Sequence, residues 1–300
     1  MKTVIFLSDY EDEVEYQAVF DFLVSDNIRG ITVKPCEVSI TNSPSGCQFY
    51  FRGEELKPDL VIGYSYLDDL IPAFKLMKLW RMSGVKVLNG PEVLFSGQNK
   101  DLASAMFNSS DGIRHLPYYK FSTLPEQSKL ENIGFPLVAK PVNGACGCGL
   151  FKFDNYTELC EWVQENGNVI SNYYVQPYIA KQNNEDYRVV VINHKACYAY
   201  SRRGVNGHWI TNLTQDGSAR IFKLHELPDG LVKMAERSSE VAGALFCGVD
   251  IALDETGQPF IIEANTCPAI KISRYFPGAD NTVEKTFADF IRQELIRHEI

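Results

Sequence analysis

The sequence predicts an α/β chain (α+β lobes) of two or three lobes, and three observations point there. The first ninety residues alternate strand-like and helix-like apolar patterns. A cluster of three glycines in six residues, Gly144 to Gly149, lies between two strand-like runs. Near the end, two apolar runs flank a polar turn and each carries an acid. A chain of 300 residues exceeds the usual single small domain and can bury a sizeable core.

Taken in order, Thr3 to Leu7 reads as a first strand, Val14 to Val24 as a helix, and Ile31 to Val33 and Leu60 to Gly63 as strands. A helix over Leu70 to Met82 and a strand over Val85 to Leu88 follow, the alternation that builds a parallel sheet. Asn89-Gly90-Pro91 is turn chemistry and marks a first boundary, with Glu92 to Phe107 helical after it. Strand, glycine loop, strand, helix (Tyr156 to Glu165) and strand fill the middle, and a second boundary falls near residue 175. Long strands then dominate up to a helix over Leu231 to Leu245, and an amphipathic helix over Thr282 to Arg297 closes the chain. The expected lobes are 1–90, 91–175 and 176–300.

Composition excludes several classes. No run of eighteen apolar residues could span a bilayer as a helix, and the N-terminal apolar run is followed by acids instead of a cleavage site. A cytoplasmic protein without a membrane role is expected. The net charge of −9 has no basic run to offset it, which argues against nucleic acid as a partner. Eight cysteines without Cys-x-x-Cys spacing suggest reduced thiols, with neither a disulfide framework nor a zinc site.

The glycine loop, Lys140-Pro141-Val142-Asn143-Gly144-Ala145-Cys146-Gly147-Cys148-Gly149, leads into Leu150 to Phe153, a strand. Dinucleotide and Walker loops lead into a helix, so this loop reads as a hairpin flap whose N–H groups can face phosphate oxygens. A merely tight hairpin is the alternative. A protein-kinase reading fails because Lys140 precedes the glycines and neither His-Arg-Asp nor Asp-Phe-Gly follows.

In the terminal hairpin, Asp250 and Glu263 lie at equal distances from the turn centre between Thr256 and Gly257. Simple register makes them cross-strand neighbours, and Asn265, two residues on, shares their face. A hard divalent cation would turn their repulsion into binding, with substrate phosphates completing its shell.

Together these motifs resemble the ATP-grasp superfamily, and specifically RimK-like glutamate ligases, over roughly residues 89 to 270. The resemblance implies an ATP-grasp fold behind an N-terminal Rossmann-like α/β pre-ATP-grasp domain. It implies that Lys100 and Lys140 contact ATP phosphates beneath a flap of Gly144, Ala145, Cys146, Gly147, Cys148 and Gly149. Gln176, Pro177, Tyr178 and Ile179 form the adenine hinge, and Asp186 reaches the ribose side. Arg188, Arg202, Arg203 and Asn212 surround the reacting groups, with Arg203 the candidate for the tetrahedral oxygen, and Asp250, Glu263 and Asn265 hold the metal. ATP and two Mg²⁺ ions are implied, Mn²⁺ being a possible substitute. The implied partners are a small-molecule carboxylate and an amine acceptor, which is an amino acid, a peptide or a protein tail, in a chain that could self-associate. Ile210, Gln215-Asp216-Gly217 and Asn265-Thr266-Cys267-Pro268-Ala269 depart from the family pattern and leave the acceptor pocket open.

The mechanism so implied phosphorylates a carboxylate to an acyl phosphate, which an amine then attacks. An ATP-grasp-like small-molecule kinase would share the nucleotide and metal residues; an unusually basic substrate pocket would favour it, and the acidic chain does not. A non-catalytic nucleotide-binding protein would be expected to have lost a metal ligand or the flap lysine, and none is lost.

Overall fold

The computed structural model describes residues 1–144, 147–204, 209–211 and 218–297, with the backbone alone at Leu67. Expectations for Ala145, Cys146, Asn212 and Gln215-Asp216-Gly217 lie outside the described residues.

The N-terminal part is a parallel sheet in the order β2 (Ile28–Val33), β1 (Lys2–Leu7), β6 (Leu60–Gly63), β7 (Lys86–Leu88). Helix α1 (Glu13–Leu23) links β1 to β2, and α2 (Leu70–Met82) links β6 to β7. The segment between β2 and β6 forms an antiparallel sheet of β3 (Val38–Ser43), β4 (Gly46–Phe51) and β5 (Glu54–Leu56) that the apolar pattern did not announce. Arg52 and Gly53, at φ of 51° and 83°, turn the chain from β4 to β5, a geometry that suits a two-residue hairpin loop.

The stretch expected as one helix from Glu92 to Phe107 is two: α3 (Pro91–Gln98) and α4 (Lys100–Asn108). Asn99 between them is extended, at φ −109° and ψ 95°. The break lets the Lys100 N–H donate to Val142 O at 3.0 Å, which fixes Lys100 beside the strand that carries Lys140. Phe107 of α4 is buried with the apolar residues of the C-terminal sheet, so these helices pack toward that sheet.

A four-stranded sheet in the order β10 (Phe151–Phe153), β9 (Leu137–Pro141), β11 (Tyr173–Pro177), β8 (Tyr119–Lys120) carries the glycine loop between β9 and β10. The short helix α5 (Gln127–Glu131) and α6 (Tyr156–Glu165) complete this part, and Asn155 caps α6 by accepting from the Glu158 N–H. The largest sheet runs β14 (Ser218–Phe222), β13 (Lys195–Arg203), β12 (Lys181–Ile192), β15 (Phe246–Asp254), β16 (Pro259–Asn265), antiparallel throughout. Helix α7 (Leu231–Ala242) covers one face and ends at Gly243, φ 64°, a left-handed position that glycine fills without Cβ strain.

The closing helix α8 (Thr282–Ile296) packs Phe287 against Phe6 of β1 and Phe246 of β15, with ring centroids 5.8 and 4.3 Å away. One core thereby joins the N-terminal sheet to the C-terminal one. Among the described residues no helix is long and apolar enough to cross a membrane, and the described cysteines are all free thiols.

Glu284 of α8 is 2% exposed, and its Oε2 has no hydrogen-bond partner. Burial raises its pKa above the ordinary carboxylate value. The folded state therefore keeps this proton longer than the unfolded chain does, and the group's contribution to stability falls as pH rises above about 4.5. Glu284→Gln mimics the protonated form. Denaturant melts should show the variant level with wild type near pH 4 and more stable by about 1 kcal/mol or more at pH 7.5. A difference that does not grow with pH would refute the assignment.

Candidate active site

The site is assembled on one face of the five-stranded sheet, where cross-strand register sets charges opposite each other. Arg188 of β12 stands between Tyr200 of β13 and Asp250 of β15, and Asp250 in turn faces Glu263 of β16. The Asp250–Glu263 pairing is the one expected from counting outward from the turn, with an irregularity on the turn side of that pair. One row along, Asp186 faces Arg202. Asp186 and Arg188, two apart, share a face as alternation requires.

These groups are tightly partnered. The Arg188 guanidinium donates through Nε to Asp250 Oδ1 at 2.6 Å and through Nη2 to Oδ2 at 2.7 Å. Arg202 donates through Nε to Asp186 Oδ1 at 2.7 Å and reaches Asp250 Oδ2 at 2.7 Å through Nη2. Burial alone would push the Asp250 carboxyl up, but Arg188 and Arg202 outweigh it and hold it below the usual carboxylate range. Glu263 accepts from Lys100 Nζ and lies 3.6 Å from Arg188. Burial works against its ionisation too, and Lys100 reverses the sign, so its pKa is lowered.

The four-stranded sheet supplies the opposite wall. Lys140 of β9 pairs in register with Tyr174 of β11. Burial and the nearby Lys100 push its pKa down to about 8, against a partial upward pull from Glu263. Between the two walls lies one cavity of about 510 Å³. Lys100, Lys140, Asp186, Arg188, Arg202, Asp250, Glu263 and Asn265 line it, as do Gly144, Gly147 and Cys148 of the loop. Gly147 and Gly149 have φ of 71° and 73°, the left-handed region where glycine carries no Cβ penalty.

Pro177, Tyr178 and Ile179 also line this cavity, with Val138, Leu150 and Trp209 giving it an apolar end. Trp209 meets the Tyr178 ring edge-on at 5.9 Å, and Lys152 Nζ sits 4.5 Å from its centroid. Gln176 does not line the cavity. It shares a face with Val138 and Lys140 by register, but the 115–116 segment covers it, and its side-chain amide donates to His115 Nε2 at 3.2 Å and Leu116 O at 3.1 Å. The Tyr178 N–H is likewise committed to Pro136 O at 2.7 Å. His115 is kept neutral, its pKa pushed down to about 4 by burial and then by Lys140.

Arg203 requires a correction. Alternation along β13 turns it away from Arg202, its neighbour in register is Glu185, and it meets that acid at 3.1 Å while half exposed. It does not line the cavity, and the guanidiniums that do are those of Arg188 and Arg202. Sequence reading also missed Lys181 and Thr211, which line the same cavity and are joined by a 2.6 Å hydrogen bond from Lys181 Nζ to Thr211 Oγ1. A lone lysine at the start of a polar Gln-Asn-Asn stretch carries no pattern from which its inward placement could be read.

Among the described residues no three His, Cys, Asp or Glu side chains gather into a metal site. The acids here are two, Asp250 and Glu263, and the third oxygen is the amide of Asn265, which also accepts from the Cys267 N–H at 2.8 Å. That all-oxygen donor set lines the cavity, where phosphate oxygens and water would supply the remaining donors. The residues present therefore fit Mg²⁺.

The family model for the RimK-like ATP-grasp domain matches residues 115–286. A probable alpha-L-glutamate ligase from Saccharophagus degradans is 27% identical over 270 residues, spanning 86% of this chain and 82% of that protein. Another from Aliivibrio fischeri is 28% identical, spanning 89% and 86%. Among solved structures, the ATP-grasp ligase PsnB complexed with minimal precursor superposes with a TM-score of 0.72 at 16% identity, covering 98% of this chain and 100% of that one. D-alanine–D-alanine ligase from Bacillus anthracis complexed with ATP gives 0.69 at 14% identity, covering 100% and 99%. The domain match spans more than half of the chain and takes in both sheets that wall the cavity, while Lys100 and several other lining residues, such as Tyr64, Tyr66 and Gln98, precede it. The chain thus belongs to the RimK-like ATP-grasp family, and it is an ATP-dependent ligase that forms amide bonds.

Proposed function

We propose that this ligase joins glutamate to an amino acid, a peptide or a protein tail through an acyl phosphate formed inside the cavity between the two sheets. The glutamate assignment follows the names of the relatives, and the peptide acceptor follows the precursor complexes of PsnB. The observation that carries the reading is the convergence of Lys100, Lys140, Arg188, Arg202, Asp250, Glu263 and Asn265 on one cavity.

In the first step a carboxylate oxygen attacks the γ-phosphorus of ATP, and ADP leaves. Lys100, Lys140 and the loop N–H groups hold the transferring group in line and balance its charge. Glu263, Asn265 and Asp250 would hold Mg²⁺, one ion or two, whose chemistry is to neutralise the phosphate oxygens. In the second step the amine nitrogen attacks the acyl carbon, the C–O bond to phosphate breaks, and the amine gives up a proton. Arg202 and Arg188 are the candidates to stabilise the tetrahedral oxygen. Lys100 donates to Glu263, and a nucleotide phosphate would compete for its ammonium.

Hydroxylamine tests the intermediate. An acyl phosphate is an activated carbonyl that a small nucleophile intercepts, whereas a phosphate ester does not react. With ATP, Mg²⁺ and glutamate or glutamate-ended peptides as carboxylates, hydroxylamine in place of the amine should give a hydroxamate with equimolar ADP and phosphate. ADP together with a stable phosphorylated product, and no hydroxamate, would replace the ligase step by a kinase one.

A further inference from the structure

Lys181 stands where the sheet register breaks. Lys181 pairs with Asp254 and Asp186 with Ala252, so β12 advances five residues while β15 advances two. The excess is taken up by Asn183 and Asn184, both left-handed at φ of 55° and 50°. Two consecutive non-glycine residues in that region carry a conformational cost that the surrounding structure has to offset. Bulges of this kind re-aim side chains. Here the result is that a lysine side chain only 13% exposed turns into the cavity, its Nζ 2.6 Å from Thr211 Oγ1 and 3.5 Å from Asp186 Oδ2.

Its position among the cations is informative. Lys181 follows the apolar hinge Pro177–Ile179 after one residue, Ala180. Lys140 feels the charge of both Lys100 and Lys181, and Lys100 is the one that contacts Glu263. Lys181 thus belongs to the hinge side of the cavity, beside Asp186, and Lys100 to the carboxylate side at Glu263. A nucleotide lying with its base at the apolar end and its terminal phosphate at Glu263 would present its α-phosphate on the Lys181 side. Asp186 is already satisfied by Arg202 at 2.7 Å and by the Thr211 hydroxyl. The Lys181 contact to it, at 3.5 Å, is the loosest of the three, which leaves the ammonium capacity for another anion.

We propose that Lys181 is a nucleotide-positioning residue whose ammonium, steadied by Thr211, binds the α-phosphate. This rests on the nucleotide reading of the cavity and assigns it a residue that neither the glycine loop nor the metal set contains. A lysine so placed distinguishes a nucleotide from a nucleoside before the β- and γ-phosphates are engaged.

The test is equilibrium binding of adenosine, AMP and ADP to the full chain and to its Lys181→Met and Lys181→Arg variants. Lys181→Met should weaken AMP and ADP by the same factor, on the order of tenfold or more, and leave adenosine unchanged. Lys181→Arg should recover part of the loss, and the thermal transition of each variant verifies the fold. If adenosine weakens as much as AMP, Lys181 serves Asp186 and Thr211 and not phosphate, and the proposal is overturned. It is equally overturned if only ADP weakens, since the contact is then to the β-phosphate. Wild-type protein that binds no ADP would instead sink the nucleotide reading itself, an outcome visible before any variant is made.

Discussion

Lys140→Met should lower kcat/KM for ATP by on the order of 10³-fold while leaving the protein folded and slightly more stable at neutral pH. The ammonium is taken out of water beside Lys100 and Lys181, and these effects push its pKa down to about 8. The folded state therefore binds this proton less tightly than the unfolded chain. Protonated Lys140 costs stability at and below pH 8, and that cost fades as pH rises from 8 toward 10.5. Methionine keeps the apolar stem and removes the charge, so the variant should lead in stability most clearly below pH 8.

ATP bound with its phosphates at Lys140 would reverse the local field. Its phosphates favour the ammonium, so binding at pH 8 should take up about half a proton, measurable by calorimetry in buffers of different ionisation enthalpy. Lys140→Met should abolish that uptake. Unchanged uptake or unchanged kcat/KM in the variant would remove Lys140 from the phosphate site.

Glu263→Gln should reduce Mg²⁺-dependent turnover by on the order of 10³-fold, because a neutral amide replaces the more exposed of the two carboxylates. The choice of residue matters. Asp250 is held by two buried guanidiniums, and neutralising it would take from Arg188 its bidentate partner at a cost of about 3–5 kcal/mol, confusing folding with function. The side chain of Glu263 is 28% exposed, and Lys100, its main partner, is 24% exposed, so losing that pair should change stability by about 1 kcal/mol or less. The checks are turnover against Mg²⁺ concentration and a denaturant melt. Near-wild-type turnover with an unshifted Mg²⁺ dependence would refute the metal assignment.

Much of this was determined by the sequence alone. A short continuous apolar run located β6, buried at all four positions, and a period-3.6 pattern located α2, both to the residue, because burial is written directly into local spacing. The hairpin of Asp250 and Glu263 was legible from the Gly-containing turn and the count outward from it. Asp186 and Arg188 on one face, and the strand after the glycine loop, followed from the same alternation.

What the tertiary structure decided depends on groups far apart in the chain. Arg202 and Arg203 are adjacent and chemically alike, and only the pairing of β13 with β12 determines that Arg202 faces Asp186 while Arg203 meets Glu185 at the surface. The family resemblance put Gln176 in the hinge, and only the fold shows that His115 and Leu116, sixty residues earlier, cover its side chain. The helix expected over residues 92–107 breaks at Asn99, where the Lys100 N–H finds Val142 O. Lys181 enters the cavity through a bulge at two asparagines. In each case local propensity allowed more than one arrangement, and long-range hydrogen bonds and ion pairs selected the one that leaves the fewest buried polar groups unpaired.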